Sequence, residues 1–213
     1  MGQDPMDVEI WSDVACPFCW LGKRRFDLAL AELGRPDGLR VRWRSYQLNP
    51  SLRTDPELRV TEWLARAKGI DVATARQLND RIARMGRHDG LAYDFDRVVV
   101  ANTFDAHRLI QLAHERGVQD EIEERLFRAN FAEGRNVADR GTLLELGADV
   151  GLAAEEVAAM LTRDAYAAEV RADMDEARRL GVGGVPFFLF DRTHAVSGAQ
   201  DIGVFVQALE RAP

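Results

Sequence analysis

The chain has 213 residues, 46% of them apolar and 30% charged, the balance of a protein that folds around a core and faces water. Its formal net charge of −7, with no dense basic run and no aromatic ladder, argues against a nucleic-acid surface. No apolar stretch approaches the ~20 residues of a membrane-spanning helix.

The opening Met1-Gly2-Gln3-Asp4-Pro5 is polar and holds no signal-peptide core. A cytoplasmic protein is therefore expected, starting naturally at Met6, with residues 1–5 a disordered or added leader. Residues 7–14 read as a first strand, because Val8, Ile10 and Ser12 alternate with Glu9, Trp11 and Asp13. A helix follows from Pro17, carried by Leu21, Phe26, Leu28, Leu30 and Leu33 and stopped by Gly34 and Pro36. A second strand spans 39–48 around Val41, Trp43 and Tyr46. The composition then turns to Ala, Leu, Arg and Glu. The spacing predicts helices over 56–68, 72–87, 97–116, 119–132, 140–150, 153–161 and 166–180, punctuated by glycines such as Gly69, Gly117 and Gly151. A strand over 185–190, a turn and a strand over 194–197 make a hairpin, and Asp201 caps a last helix over 202–211. The order is an α/β domain, residues 6–53 with 164–213, interrupted by a helical insertion over 54–163. An insertion that long should hold a small core of its own.

Cys16-Pro17-Phe18-Cys19 contains both cysteines of the chain. Random placement would put two cysteines three apart in about one arrangement in a hundred, so the spacing reads as a redox or metal motif. Cys16 falls where strand gives way to helix, and Pro17 suits the first helical turn. The positive end of a helix dipole favours a thiolate, which is both nucleophile and leaving group. Cys19, one turn further in, is expected to be more buried, so that Cys16 attacks a disulfide and Cys19 resolves the mixed disulfide. Zinc would need two further ligands from His88, His107, His114, His194 and carboxylates, and none forms a compact second motif. No metal is expected. In a cytoplasm such a pair is catalytic rather than structural.

Gly183-Gly184-Val185-Pro186 opens the hairpin, either as a strand-edge proline behind a glycine turn or as a cis Val185-Pro186 bond that offers the Val185 backbone to an incoming peptide. His107 shares a helix face with Gln111 and His114, as a cleft group that polarises substrate or as a packing residue. Asp13 is either a proton acceptor during resolution or a solvated strand end.

Taken together, these pieces resemble the DsbA branch of the thioredoxin fold, and most closely FrnE-type proteins near the kappa-class glutathione transferases and 2-hydroxychromene-2-carboxylate isomerases. The matching stretches are Ser12-Asp13, Leu48-Asn49-Pro50, Asn102 to Leu109, Leu126-Phe127-Arg128, Phe131 to Arg135, Gly184 to Phe188 and Val196 to Gln200. The resemblance implies a thioredoxin fold carrying a large α-helical insertion, a cis Pro186 facing Cys16, and a cleft shaped by Pro17, Phe18, Asn49, His107 and Val185. In glutathione-binding relatives the corner at Ser197, Gln200 and Asp201 holds a glutathione carboxylate; ordinary helix capping is the other reading. Phe18 departs from the Trp or His of those relatives and neither donates a hydrogen bond nor carries charge, which implies a less oxidising disulfide than that of DsbA.

The expected activity is a thiol–disulfide oxidoreductase of the reductase or isomerase type. It has no cofactor beyond glutathione as a co-substrate, and disulfide- or thiol-containing proteins or small molecules are its partners. The alternatives are a glutathione-dependent isomerase or transferase acting on a small aromatic or polyketide-like molecule, and a thiol-based zinc or redox sensor.

Overall fold

The computed structural model describes residues 6–34, 36 and 38–211; the leader expected at residues 1–5 lies outside them. β1 (Asp7–Ser12) leads through the cysteine motif into α1 (Pro17–Leu33), and β2 (Arg40–Ser45) returns parallel to β1. β5 (Phe187–Phe190) runs antiparallel to β1 and carries β6 (His194–Ser197), giving the sheet order β2-β1-β5-β6. α9 (Ile202–Glu210) packs beside α1 on one face, where Phe26, Phe188 and Phe205 meet edge to face or tilted at 4.7 to 6.0 Å. α8 (Ala167–Arg179) covers the other face, and Trp11 packs there with Ala177, Val182 and Leu189. The alternation read in β1 therefore separates two buried faces, not a core side from a wet side: five of its six residues are buried. Glu9 is held within it by Arg44 and Arg192.

Between the halves lie β3 (Asp55–Arg59), α2 (Val60–Lys68), α3 (Val72–His88), β4 (Val99–Val100), α4 (Phe104–Glu115), α5 (Gln119–Phe131), α6 (Arg140–Asp149) and α7 (Ala154–Thr162). Two expected helices start late. Residues 56–59 are strand because β3 pairs antiparallel with β4, Asp55 opposite Val100 and Arg59 opposite Val99. The valines of the expected 97–116 helix supply that second strand, so α4 begins only at Phe104, whose N–H donates to Asn102 Oδ1 (2.9 Å). The insertion also shares its core with the rest of the chain: one buried cluster runs from Val8, Ile10 and Phe26 to Leu109, Leu126, Leu143 and Val157. Polar ties cross the same boundary. Buried Lys23 of α1 pairs with Asp27 (2.9 Å) and with Asp120 of α5 (3.0 Å). Asp173 of α8 takes the Arg44 guanidinium (2.9 Å), Ser45 N–H (3.0 Å) and the Gln111 amide (2.6 Å). Among the described residues no helix is long and apolar enough to cross a membrane.

Candidate active site

Cys16 is the N-cap of α1, in extended conformation (φ −94°, ψ 111°), with Pro17 as the first helical residue. Its N–H donates to Asp13 O (2.9 Å), and its carbonyl accepts from Cys19 N–H (3.0 Å). Both cysteines are thiols. Cys16 retains 5% exposure and lines a cavity of about 560 Å3, whereas Cys19 is fully enclosed. Burial pushes the Cys19 thiol well above its ordinary pKa, and the neighbouring Cys16 adds to the rise. The difference in access follows from the helix: one turn carries the second sulfur from the mouth of the cavity into the core.

The hairpin meets the motif here. The Val185–Pro186 peptide is cis, and Cys16 Sγ donates to Val185 O at 3.5 Å. That carbonyl, read from the sequence as free for a peptide, is engaged by the thiol. Gly22 allows the approach, since a Cβ there would lie 2.8 Å from Pro186 Cγ. Gly198 N–H donates to Pro186 O (2.8 Å), which sets the corner at Ser197, Gln200 and Asp201 behind the proline. The expected capping by Asp201 is not seen. Its side chain makes no cap hydrogen bond and instead meets Arg25 of α1 (3.2 Å), while the Gln200 amide donates to Ser197 O (2.8 Å). None of the three lines the cavity at Cys16.

Pro17 and the 40%-exposed Phe18 line that cavity with Cys16. Asn49 borders a smaller cleft of about 90 Å3 next to Asp13, and its Oδ1 accepts from Ser51 (3.0 Å). His107 is 1% exposed and lines neither space; its Nε2 is 3.4 Å from Asp13 Oδ1, outside hydrogen-bond geometry. Asp13 is not solvated. It is buried and accepts from Leu48 N–H (2.7 Å), Thr103 Oγ1 (2.8 Å) and Ala15 N–H (3.2 Å), which fixes the end of β1 to two loops. Asn102 does the same for the neighbouring loop, donating to Leu52 O (2.8 Å) and Pro50 O (3.2 Å).

Several site residues were not read from the sequence. Tyr93 donates to Pro17 O (2.7 Å) and meets Trp20 edge to face at 4.9 Å, tying the motif to the insertion. Glu123 of α5 is fully buried with both carboxylate oxygens unpartnered, and burial pushes it up to about 7 against the pull of the Ser12 hydroxyl, His107 and Lys23. The available signal was a carboxylate on the apolar stripe of α5, three residues before Leu126 and four before Phe127. Among the described residues no three His, Cys, Asp or Glu side chains gather as a metal site.

The profile of the DsbA-like thioredoxin domain matches residues 7–210, nearly the whole chain. The chain belongs to that family. A probable DsbA oxidoreductase from Streptomyces coelicolor is 45% identical, with a TM-score of 0.92 over 97% of this chain and 89% of its own. The cytosolic disulfide reductase DsbM of Pseudomonas aeruginosa, also solved with GSH, shares the fold at 22% identity and a TM-score of 0.69, covering 96% of this chain and 97% of its own. A 2-hydroxychromene-2-carboxylate isomerase shares it at 14% identity and a TM-score of 0.71, covering 96% and 95%. The DsbA-like architecture of thioredoxin fold plus helical insertion is thus common to proteins of different named activity.

Proposed function

We propose that this protein is a cytoplasmic thiol–disulfide oxidoreductase that reduces or isomerises disulfides, with Cys16 as nucleophile and Cys19 as resolving thiol. The observation that carries this reading is the unequal pair: Cys16 opens on a cavity at a helix N-terminus beside Pro186, while Cys19 is sealed behind it. Cys16, as thiolate, attacks one sulfur of a substrate disulfide. The substrate S–S bond breaks, a bond to Cys16 forms, and the other half leaves as a thiolate. Cys19 then loses its proton and attacks Cys16 Sγ, expelling the second half as a thiolate. Two protein thiols become one disulfide, and one substrate disulfide becomes two thiols. The raised pKa of Cys19 holds its proton until the mixed disulfide has formed.

A thiol such as glutathione would restore the pair as co-substrate, a role supported by the GSH bound to the similarly folded DsbM. The cytoplasmic assignment draws on DsbM being cytosolic and on both cysteines being spent in the motif, which leaves none for a structural disulfide. The apolar cavity favours one second reading, a glutathione-dependent isomerase acting on a small aromatic molecule, which has no use for Cys19.

The experiment is reduction of insulin and reactivation of scrambled ribonuclease, with Cys16→Ser and Cys19→Ser alongside. Cys16→Ser should abolish both activities, and Cys19→Ser should accumulate mixed disulfides on Cys16 detectable by mass. Full activity in both variants would end the redox reading. Adducts trapped by Cys16→Ser instead would reverse the roles.

A further inference from the structure

The cavity beside Cys16 is built by residues far apart in the chain. Trp63 and Leu64 come from α2, Leu78 and Ile82 from α3, Phe95 from the following loop and Phe131 from α5. Its volume of about 560 Å3 lies within the ~300–1,000 Å3 of small-molecule sites. Phe18, Leu48 and Leu78 at its mouth are exposed by 40%, 53% and 39%, so half of the six large exposed hydrophobic side chains among the described residues surround this one opening. An apolar rim of that kind marks a binding site.

The charged residues of the lining all have one sign. Lys68 and Arg81 are the only ionised side chains on it, although Asp and Glu outnumber Lys and Arg by 35 to 28 in the chain. Neither cation forms an ion pair among the described residues, while many other arginines do. The one remaining polar lining side chain besides Cys16, Asn79, is already committed to Thr61 (2.9 Å). The wall therefore offers apolar surface, two unneutralised positive charges and one thiol.

We infer that this cavity selects a small disulfide with an apolar, aromatic-sized body and a carboxylate, its S–S bond at Cys16 and its anion at Lys68 and Arg81. The inference rests on the oxidoreductase reading and supplies the substrate class for it. Oxidised glutathione, anionic but polar throughout, fits the cations and not the walls. A polypeptide loop, larger than the cavity of about 560 Å3 and carrying a polar backbone, does not match these apolar walls.

The test compares three disulfides reacting with the reduced protein in stopped flow: 5,5′-dithiobis(2-nitrobenzoate), an aromatic dianion; neutral 4,4′-dithiodipyridine; and oxidised glutathione. The readout is the ratio of rate constants, which cancels any general change in Cys16 reactivity. In Lys68→Gln/Arg81→Gln the dianion-to-neutral ratio should fall by about fivefold, the worth of two exposed charge contacts. Oxidised glutathione should react more slowly than either aromatic. An unchanged ratio, or oxidised glutathione or insulin as the preferred substrate, overturns the proposal while leaving the oxidoreductase reading intact. Binding is read separately in Cys16→Ser, which performs no exchange. 1-Naphthoate should quench its fluorescence, and Trp63→Phe should remove that quenching. Failure of exchange with every disulfide, but with naphthoate bound, would refute the redox reading and not the anion-selective cavity; absence of naphthoate binding overturns the cavity proposal.

Discussion

Glu123→Gln separates the energetic cost of a buried carboxylate from its packing. Glu123 is 1% exposed, without a hydrogen-bond partner, and burial raises it from 4.5 to about 7 although Ser12, His107 and Lys23 favour its charge. The folded protein thus binds this proton more tightly than the unfolded chain. Stability linked to it is fully present below the unfolded value of 4.5 and is lost as pH rises through about 7. At about 1.4 kcal/mol per pH unit, the gap amounts to about 3 kcal/mol. Glutamine keeps the shape and cannot ionise. The variant should match the parent near pH 4 and exceed it by about 3 kcal/mol near pH 8, with the advantage growing between those limits. Urea unfolding under reducing conditions, followed by tryptophan fluorescence at several pH values, reads this directly. A stability difference independent of pH, or a variant weaker than the parent near pH 8, would refute the argument.

Gly22→Ala places a Cβ 2.8 Å from Pro186 Cγ and 3.4 Å from the Phe188 ring, so it should cost about 1–3 kcal/mol of overpacking and slow exchange at Cys16. Unchanged urea midpoint and rate would show that the hairpin yields freely. Tyr93→Phe removes the donor to Pro17 O and should cost about 1 kcal/mol in the same unfolding assay, with little effect on the edge-to-face contact with Trp20. A loss several times larger would mean that the hydroxyl holds more than this carbonyl. Asp173→Ala strips Arg44, Ser45 N–H and Gln111 of a shared buried acceptor and should destabilise by about 3–5 kcal/mol; a cost below about 1 kcal/mol would contradict the pairing.

What the sequence determined by itself is local. The strand-to-helix switch at Cys16, the proline in the first turn, the glycine stop at Gly34 and the second hairpin strand over 194–197 all depend on residues within a turn or two of one another, and all stand where the sequence puts them. The same locality explains the misread helices. Val99 and Val100 become strand because Asp55 and Arg59 lie beside them, a pairing that periodicity within either segment cannot register. Asp201 looks like a cap until Arg25 of α1 is placed next to it. The site divides along the same line. Cys16 and Cys19 announce themselves by spacing and by the residue types around them, whereas Pro186 enters the site only through the family resemblance. Asp13 could be read as solvated because its three donors come from distant loops as well as its own. The apolar cavity, its two unneutralised cations and the buried Glu123 were decided by tertiary structure alone. Desolvation and charge pairing depend on which atoms finally surround a group, and here most of them arrive from α2, α3 and α5, remote in the chain from the cysteines they enclose.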